Sequence, residues 1–184
     1  DAGGNHDHGQ VLQKTHFMHG AIRPEDARAN PLGQARVIAE GPAWARVDGD
    51  ASLGMIGSTF AMRQAIRKAA ASGIGFAGLC NSCHFGAAGC YASLAADEGM
   101  IGIAMCNDTP TVTVPGARGP VLGSNPIAYA VPAGEQLVLL DIATSTVAGG
   151  KVFSAAALGE SIPEGWIVDE QGRPATDPST FPAK

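Results

Sequence analysis

Between residues 53 and 80 the hydrophobic period changes from that of a helix to that of a buried strand, and Gly73 stands at the change. Met55, Met62, Ile66 and Ala69 recur on one face of segment 53–72, while Arg63 and Arg67 lie about one turn apart on another. This stretch is predicted to be an amphipathic helix that Gly73 closes, and 75–80 then reads as a short buried strand. The alternation repeats, with a helix over 87–98 and an apolar strand over 100–106. Upstream, 35–39 and 43–48 flank Glu40-Gly41-Pro42 and predict a hairpin; downstream, 126–131 and 136–141 flank the turn Pro132-Ala133-Gly134-Glu135. A short helix over 10–20 precedes the polar break Arg23-Pro24-Glu25-Asp26. Together these elements predict an α/β (α+β) fold in which a largely antiparallel or mixed sheet is flanked by helices.

Composition narrows the classes of function. At 184 residues and 45% hydrophobic content, the chain buries a real core within the size of one domain. Its 12 basic residues are scattered among 17 acidic ones, so no cationic stripe offers itself to a row of phosphates and no nucleic-acid partner is expected. No apolar run approaches the roughly 20 residues of a membrane helix, so no membrane partner is expected either. Cys80, Cys83, Cys90 and Cys106 all lie in apolar or Gly/Ala-rich segments, the pattern of reduced, buried thiols, and the expected compartment is cytoplasmic. The chain starts at Asp1 without Met and stops at Lys184 after a turn-rich stretch, so both ends read as truncated.

Two motifs point to chemistry that their context opposes. Gly73-Ile74-Gly75-Phe76-Ala77-Gly78 matches the dinucleotide fingerprint G-x-G-x-x-G, with Asp97 at about the right distance. That fingerprint works when glycines follow a strand and open a helix, which places a pyrophosphate on the helix's positive end. Here they close a helix and lead into a strand, so the match reads as accidental, with the glycines serving as a C-cap and in tight packing. Cys80-Asn81-Ser82-Cys83-His84 matches the haem-attachment pattern C-x-x-C-H. Haem needs an open apolar pocket and a second axial ligand, whereas this motif ends a buried strand just before a Gly/Ala-rich helix start. Zinc would need a second ligand pair at structural spacing, which the sequence lacks, and no metal is expected. Cys90 and Cys106 read as small core hydrophobes.

What remains is a set of polar, Gly-rich stretches at strand ends, the usual place for a site built from loops on a rigid scaffold. These are Asp7-His8-Gly9, Asn81-Ser82-Cys83-His84-Phe85-Gly86, Asn107-Asp108-Thr109-Pro110, Gly123-Ser124-Asn125-Pro126 and Asp141-Ile142-Ala143-Thr144-Ser145. Gly165-Trp166-Ile167-Val168-Asp169 and Thr176-Asp177-Pro178 follow. In this order they resemble the motifs of the malate/L-lactate dehydrogenase family, which includes ureidoglycolate and diketogulonate dehydrogenases, over essentially the whole chain.

The resemblance implies an oxidoreductase that interconverts a small 2-hydroxy acid and a 2-oxo acid with NAD or NADP, working as a homodimer. It implies a non-Rossmann nicotinamide-cofactor-binding fold in which residues 1–34 belong to a helical domain carrying the His8 motif and 35–184 form the cofactor-binding sheet domain, incomplete at its C-terminal end. Oxidising a hydroxy acid sends hydride to nicotinamide and needs a base for the hydroxyl proton; the reverse needs an acid near neutrality, and histidine suits both. The resemblance assigns this role to His84 or His8, with His84 favoured because it closes the more complete motif. It carries cofactor contacts to Asp108, Thr109, Ser124, Asn125, Asp141, Ile142, Ala143, Thr144 and Ser145, a set rich in hydroxyl, amide and backbone donors. For the last five a capped turn is the bland reading, compatible with the first. Two positions depart from the family: Asp7 stands in place of Ser, and Leu12 in place of an Arg that would hold the substrate carboxylate through a bidentate pair. They leave open the alternative of a catalytically impaired fragment or relative that keeps the fold and cofactor binding.

Overall fold

A computed structural model describes residues 30 and 32–181, apart from 115 and 118. The helix expected over 10–20, and with it Asp7, His8 and Leu12, lies outside the described residues. The described residues divide into two compact units, one running up to 104 and taking in 128–141, the other made of 105–127 and the residues from 142 onward.

The first unit opens with β1 (Arg36–Glu40) and β2 (Trp44–Asp48), paired antiparallel across the expected turn. A register shift between Val37 and Ala39 puts a bulge in β1. β2 buries Ala45 and Val47 and turns Trp44 and Arg46 outward, the period-2 pattern of a half-buried strand. Helix α1 (Gly54–Ser72) follows and returns the chain to β3 (Phe76–Cys80), which runs parallel to β2 with Asp48 opposite Cys80. The sheet is therefore mixed, as expected.

The face that α1 buries differs from the one its large residues suggested. Met55, Met62, Ile66 and Ala69 are half-buried, and the buried stripe is Gly54, Gly57, Ala61 and Gln64. Close approach explains the choice: a Cβ at Gly57 would lie 3.2 Å from Leu79 and 3.3 Å from Ser82 Oγ. Small residues let the helix axis settle on β3, and the larger side chains flank the seam. The glycines of the false dinucleotide fingerprint behave as their context predicted. Gly73 caps α1 in the left-handed conformation (φ 79°), its N–H bonded to the Ala69 carbonyl, and a Cβ at Gly75 would run into the Ala65 carbonyl of the same helix.

Helix α2 (Gly89–Asp97) comes next, then β4 (Gly102–Met105), β5 (Ile127–Ala133) and β6 (Gln136–Ile142), arranged β4-β5-β6. Gly134 and Glu135 join β5 to β6 in a two-residue hairpin turn, Gly134 supplying the positive φ (66°) such turns require. The core here consists of Ala88, Tyr91, Ala92, Ala96, Ala104, Ala128 and Ala130, with Met62 and Phe85 against it. Alanines bring α2 so close to β4 that a Cβ at Gly102 would collide with the Ala92 carbonyl.

In the second unit, α3 (Gly149–Leu158) is a helix to which the sequence reading assigns no element. Its paired glycines at the start and the lack of a capping side chain hide its onset, although Gly159 (φ 68°) marks its end in the ordinary way. Val152 is buried with Ile162 and Ile167, and Trp166, Ala175 and Phe181 pack on them. β7 (Ile167–Val168) and β8 (Pro174–Ala175) pair antiparallel, and a 3-10 turn over Pro178–Thr180 follows.

The cysteines correct another expectation. Cys80 and Cys90 are exposed; Cys83 and Cys106 are half-buried. Cys90 lies on α2, whose core face is taken by Gly89, Tyr91, Ala92, Ala95 and Ala96, so the thiol points outward. Cys80 ends β3 and donates to the Val47 carbonyl at 3.4 Å. The flanking Gly and Ala residues that suggested burial are the ones that occupy the interface instead.

Candidate active-site loops

The His84 motif sits where the parallel strands β2 and β3 end, and the turn after β2 is stitched to the loop after β3. Gly49 N–H donates to the Cys80 carbonyl at 2.8 Å, Ala51 N–H to the Asn81 carbonyl at 2.9 Å, and Cys83 Sγ to the Ala51 carbonyl at 3.5 Å. Asn81 takes a positive φ of 50°, a conformation asparagine tolerates better than most residues. Its side-chain amide donates to Asp48 Oδ1 at 2.9 Å. The same carboxylate accepts from Asp50 N–H at 3.0 Å and, through Oδ2, from Arg36 at 2.5 Å. Hydrogen bonds from Asp50 N–H and then Asn81, with Arg36 beside them, hold the Asp48 carboxyl below its ordinary value.

On the other side of His84, the Tyr91 hydroxyl donates to the Phe85 carbonyl and the two rings stack at 5.2 Å. Beneath the motif, Gly54 brings the start of α1 against the Cys83 and His84 carbonyls, where any Cβ would clash. His84 itself is half-buried. Burial also pushes the Cys83 thiol upward. Among the described residues no three His, Cys, Asp or Glu side chains come together as a metal site.

Asp141, from the fifth polar stretch, lies in the same unit as His84. Its Oδ2 accepts from Gly89 N–H at 2.8 Å, supplying α2 with the N-terminal cap that Ala88 does not provide.

The other cofactor-site candidates fall in the second unit, and four of them form one cluster. Ser124 Oγ donates to Asp108 Oδ2 at 2.9 Å, Thr109 N–H to Asp108 Oδ1 at 2.7 Å, and Asp108 N–H to Asn125 Oδ1 at 2.9 Å. The Ser124 carbonyl accepts both Thr144 N–H (2.8 Å) and Thr144 Oγ1 (2.9 Å), which brings in a fifth candidate. Gly123 lets these loops meet, because a Cβ there would strike the Asp108 carbonyl. Ser145 Oγ donates locally to the Val147 carbonyl; Ile142 is exposed and Ala143 half-buried. Nearby, burial and then the Asp108 charge push the Cys106 thiol up to about 11.

The last two motifs are structural. Asp169 accepts from Gln171 and Arg173 N–H and pairs with the Arg173 side chain, closing the β7–β8 turn, and Asp177 Oδ1 caps the 3-10 turn through Ser179 N–H. Sequence reasoning passed over Asp48, Gly54 and Tyr91. Asp48-Gly49-Asp50 meets the same criterion that selected the other stretches, polar residues beside a glycine at a strand end.

These loops follow strands of two separate three-stranded sheets, β1-β2-β3 and β4-β5-β6, and the profile of the malate/L-lactate dehydrogenase family matches residues 2–183. The chain belongs to that family. It is 47% identical over 141 residues to the malate dehydrogenase of Pyrococcus horikoshii, a match covering 77% of this chain and 39% of that protein. With ureidoglycolate dehydrogenase (NAD(+)) of Escherichia coli K12 it shares 35% identity over 179 residues, 97% of this chain and 50% of the relative. The crystal structure of malate dehydrogenase from Entamoeba histolytica superposes with a TM-score of 0.81 at 32% identity, over 91% of this chain and 46% of that one. The chain thus spans about half the length of the relatives it matches or less.

Proposed function

We propose that the protein to which this chain belongs is a nicotinamide-dependent dehydrogenase that interconverts a small 2-hydroxy acid and its 2-oxo acid. The observation that carries this reading is the knot of Asp108, Thr109, Ser124, Asn125 and Thr144, motif residues that the fold draws into one polar cluster within a family of dehydrogenases. The chemistry of the cluster fits a dinucleotide. With Asn125 Oδ1 turned inward, its amide nitrogen and the exposed Thr109 are donors of the kind that ribose and phosphate oxygens need. Bound nicotinamide, as NAD or NADP, supplies the acceptor or donor of hydride. His84 takes the hydroxyl proton in oxidation and returns it in reduction, with His8 the second candidate for that step. Asp141, Ile142, Ala143 and Ser145 complete the proposed cofactor set, Asp141 while also capping α2. The same proposal takes 1–34 as part of a helical domain carrying His8, 35–184 as the cofactor-binding domain, and the parent as a cytoplasmic homodimer.

Leu12 and Asp7, where the family carries a carboxylate-binding Arg and a Ser, favour one competing reading, a relative that binds cofactor without turnover. Nicotinamide fluorescence and absorbance, followed on the full-length protein against a panel of 2-hydroxy and 2-oxo acids, separates the two. Turnover of a panel member supports the dehydrogenase; cofactor binding with no turnover on any member supports the silent relative. Absence of turnover overturns the dehydrogenase, and absence of both overturns either reading.

A further inference from the structure

The segment that carries His84 is held on both sides by residues outside it. On the strand side, Asp48 ties the end of β2 to Arg36 on β1 and to Asn81 at the start of the loop, so one carboxylate joins two strands to the loop that follows β3. On the helix side, Tyr91 in α2 reaches back to the Phe85 carbonyl and stacks on the Phe85 ring. Between these anchors lie Ser82, Cys83 and His84, with the Cys83 and His84 carbonyls seated against Gly54, where the lack of a Cβ makes room for them. We propose that Asp48 and Tyr91 are positioning residues, clamping segment 81–85 at its two ends and so fixing the place of His84. This rests on the function proposed above.

The physical case is one of conformational freedom. A five-residue loop with one residue at positive φ has many alternatives to its observed course, and ordering each residue costs about 1–2 kcal/mol. The clamp makes that selection before substrate arrives, through hydrogen bonds to elements whose own positions are set by sheet pairing and helix packing. A proton-transfer group displaced by about 1 Å loses on the order of 100-fold in rate, because alignment with the reacting atoms is what the catalyst supplies. Residues that only stabilised the fold would not show this selectivity for turnover.

The test uses the full-length protein with Asp48→Ala, Asn81→Gly and Tyr91→Phe. Asn81→Gly removes the bond to Asp48 while tolerating the positive φ, and Tyr91→Phe keeps the stacked ring, so these two stand if Asp48→Ala fails to fold. Each is expected to lower kcat by about 10- to 100-fold, with cofactor KM within about threefold of wild type. Asp48→Asn, which keeps an acceptor for Asn81, should recover most of the loss. Amide hydrogen exchange over 81–86 should accelerate about tenfold in the three variants, with α1 unchanged. Unchanged exchange, or faster exchange with kcat intact, overturns the clamp. A wild-type protein without turnover overturns the proposed function instead, and exchange alone then decides whether Asp48 and Tyr91 hold the loop.

Discussion

Asp141 closes the amino end of a helix that starts 52 residues earlier in the chain: its Oδ2 accepts from Gly89 N–H at 2.8 Å. The helix has no capping side chain of its own, and the carboxylate supplies both the missing acceptor and a negative charge at the positive end of the helix dipole. Asp141→Ala is therefore expected to destabilise the chain by about 1 kcal/mol, within the usual range for loss of a cap. Gly89→Ala should cost at least as much, since its Cβ would sit 2.9 Å from Asp141 Oδ2 and 3.1 Å from the Asp141 Cβ. Urea unfolding of the 184-residue chain measures both; an Asp141→Ala midpoint equal to wild type would remove the cap from the account.

The bond from Ser124 to Asp108 joins two polar loops of the second unit. Ser124→Ala should lower stability by about 0.5–1.5 kcal/mol and weaken nicotinamide-cofactor binding by the full-length protein, because the loop bearing Asn125 loses a tether. Fluorescence titration with the reduced cofactor reads the second effect. Unaltered affinity, with the stability loss present, would leave the cluster a structural knot only.

His84→Ala in the full-length protein should reduce turnover by about two to four orders of magnitude, the usual worth of a positioned acid or base. His8→Ala provides the comparison. Steady-state rates near wild type in both variants would refute the assignment of either histidine.

Acid should remove the charge-dependent part of the hold at Asp48, as Asp48→Asn does. Its carboxyl lies below the ordinary 3.8 in the folded chain, so the folded state favours the ionised form. The resulting stabilisation is present in full above the ordinary value and is lost as pH falls from there through the lowered one. The stability difference between wild type and Asp48→Asn should therefore be flat from neutral pH down to about 5 and shrink below 4. A difference that changed mainly between pH 6 and 8, followed by thermal unfolding, would point to another group.

Thiol reactivity should follow the structure and not the local sequence. Cys80 and Cys90 are exposed, while the Cys106 thiol, raised to about 11, is about 0.1% thiolate at pH 8. Brief alkylation of the native chain followed by peptide mass spectrometry should label Cys80 and Cys90 well ahead of Cys106. Faster labelling of Cys106 would contradict its half-buried setting.

The elements that the sequence revealed share a cause. Helix α1 shows a helical period and a glycine stop, β2 alternates after a Gly-Pro turn, and each of these patterns is complete within about 20 residues. The misses share one too. Which side of α1 is buried depended on how near β3 could come, and that is set by Gly57 against Leu79 and not by the positions of the methionines. α3 begins at two glycines without a cap, so its only local marker is its end. The outward thiol of Cys90 depended on which face of α2 the alanines of β4 and β5 would cover.

By itself the sequence determined the order and kind of the local elements from β1 to β6, the glycines at their boundaries, and the motifs that place the chain in its family. Periodicity and backbone permissiveness act between near neighbours and are legible residue by residue. Tertiary structure alone decided that Asp48 meets Asn81 across 33 residues, that Ser124 meets Asp108 across 16, and that Asp141 caps a helix 52 residues before it. Hydrogen bonds act over about 3 Å and only in narrow directions, so whether two distant polar groups are partners depends on where the packed strands and helices deliver them.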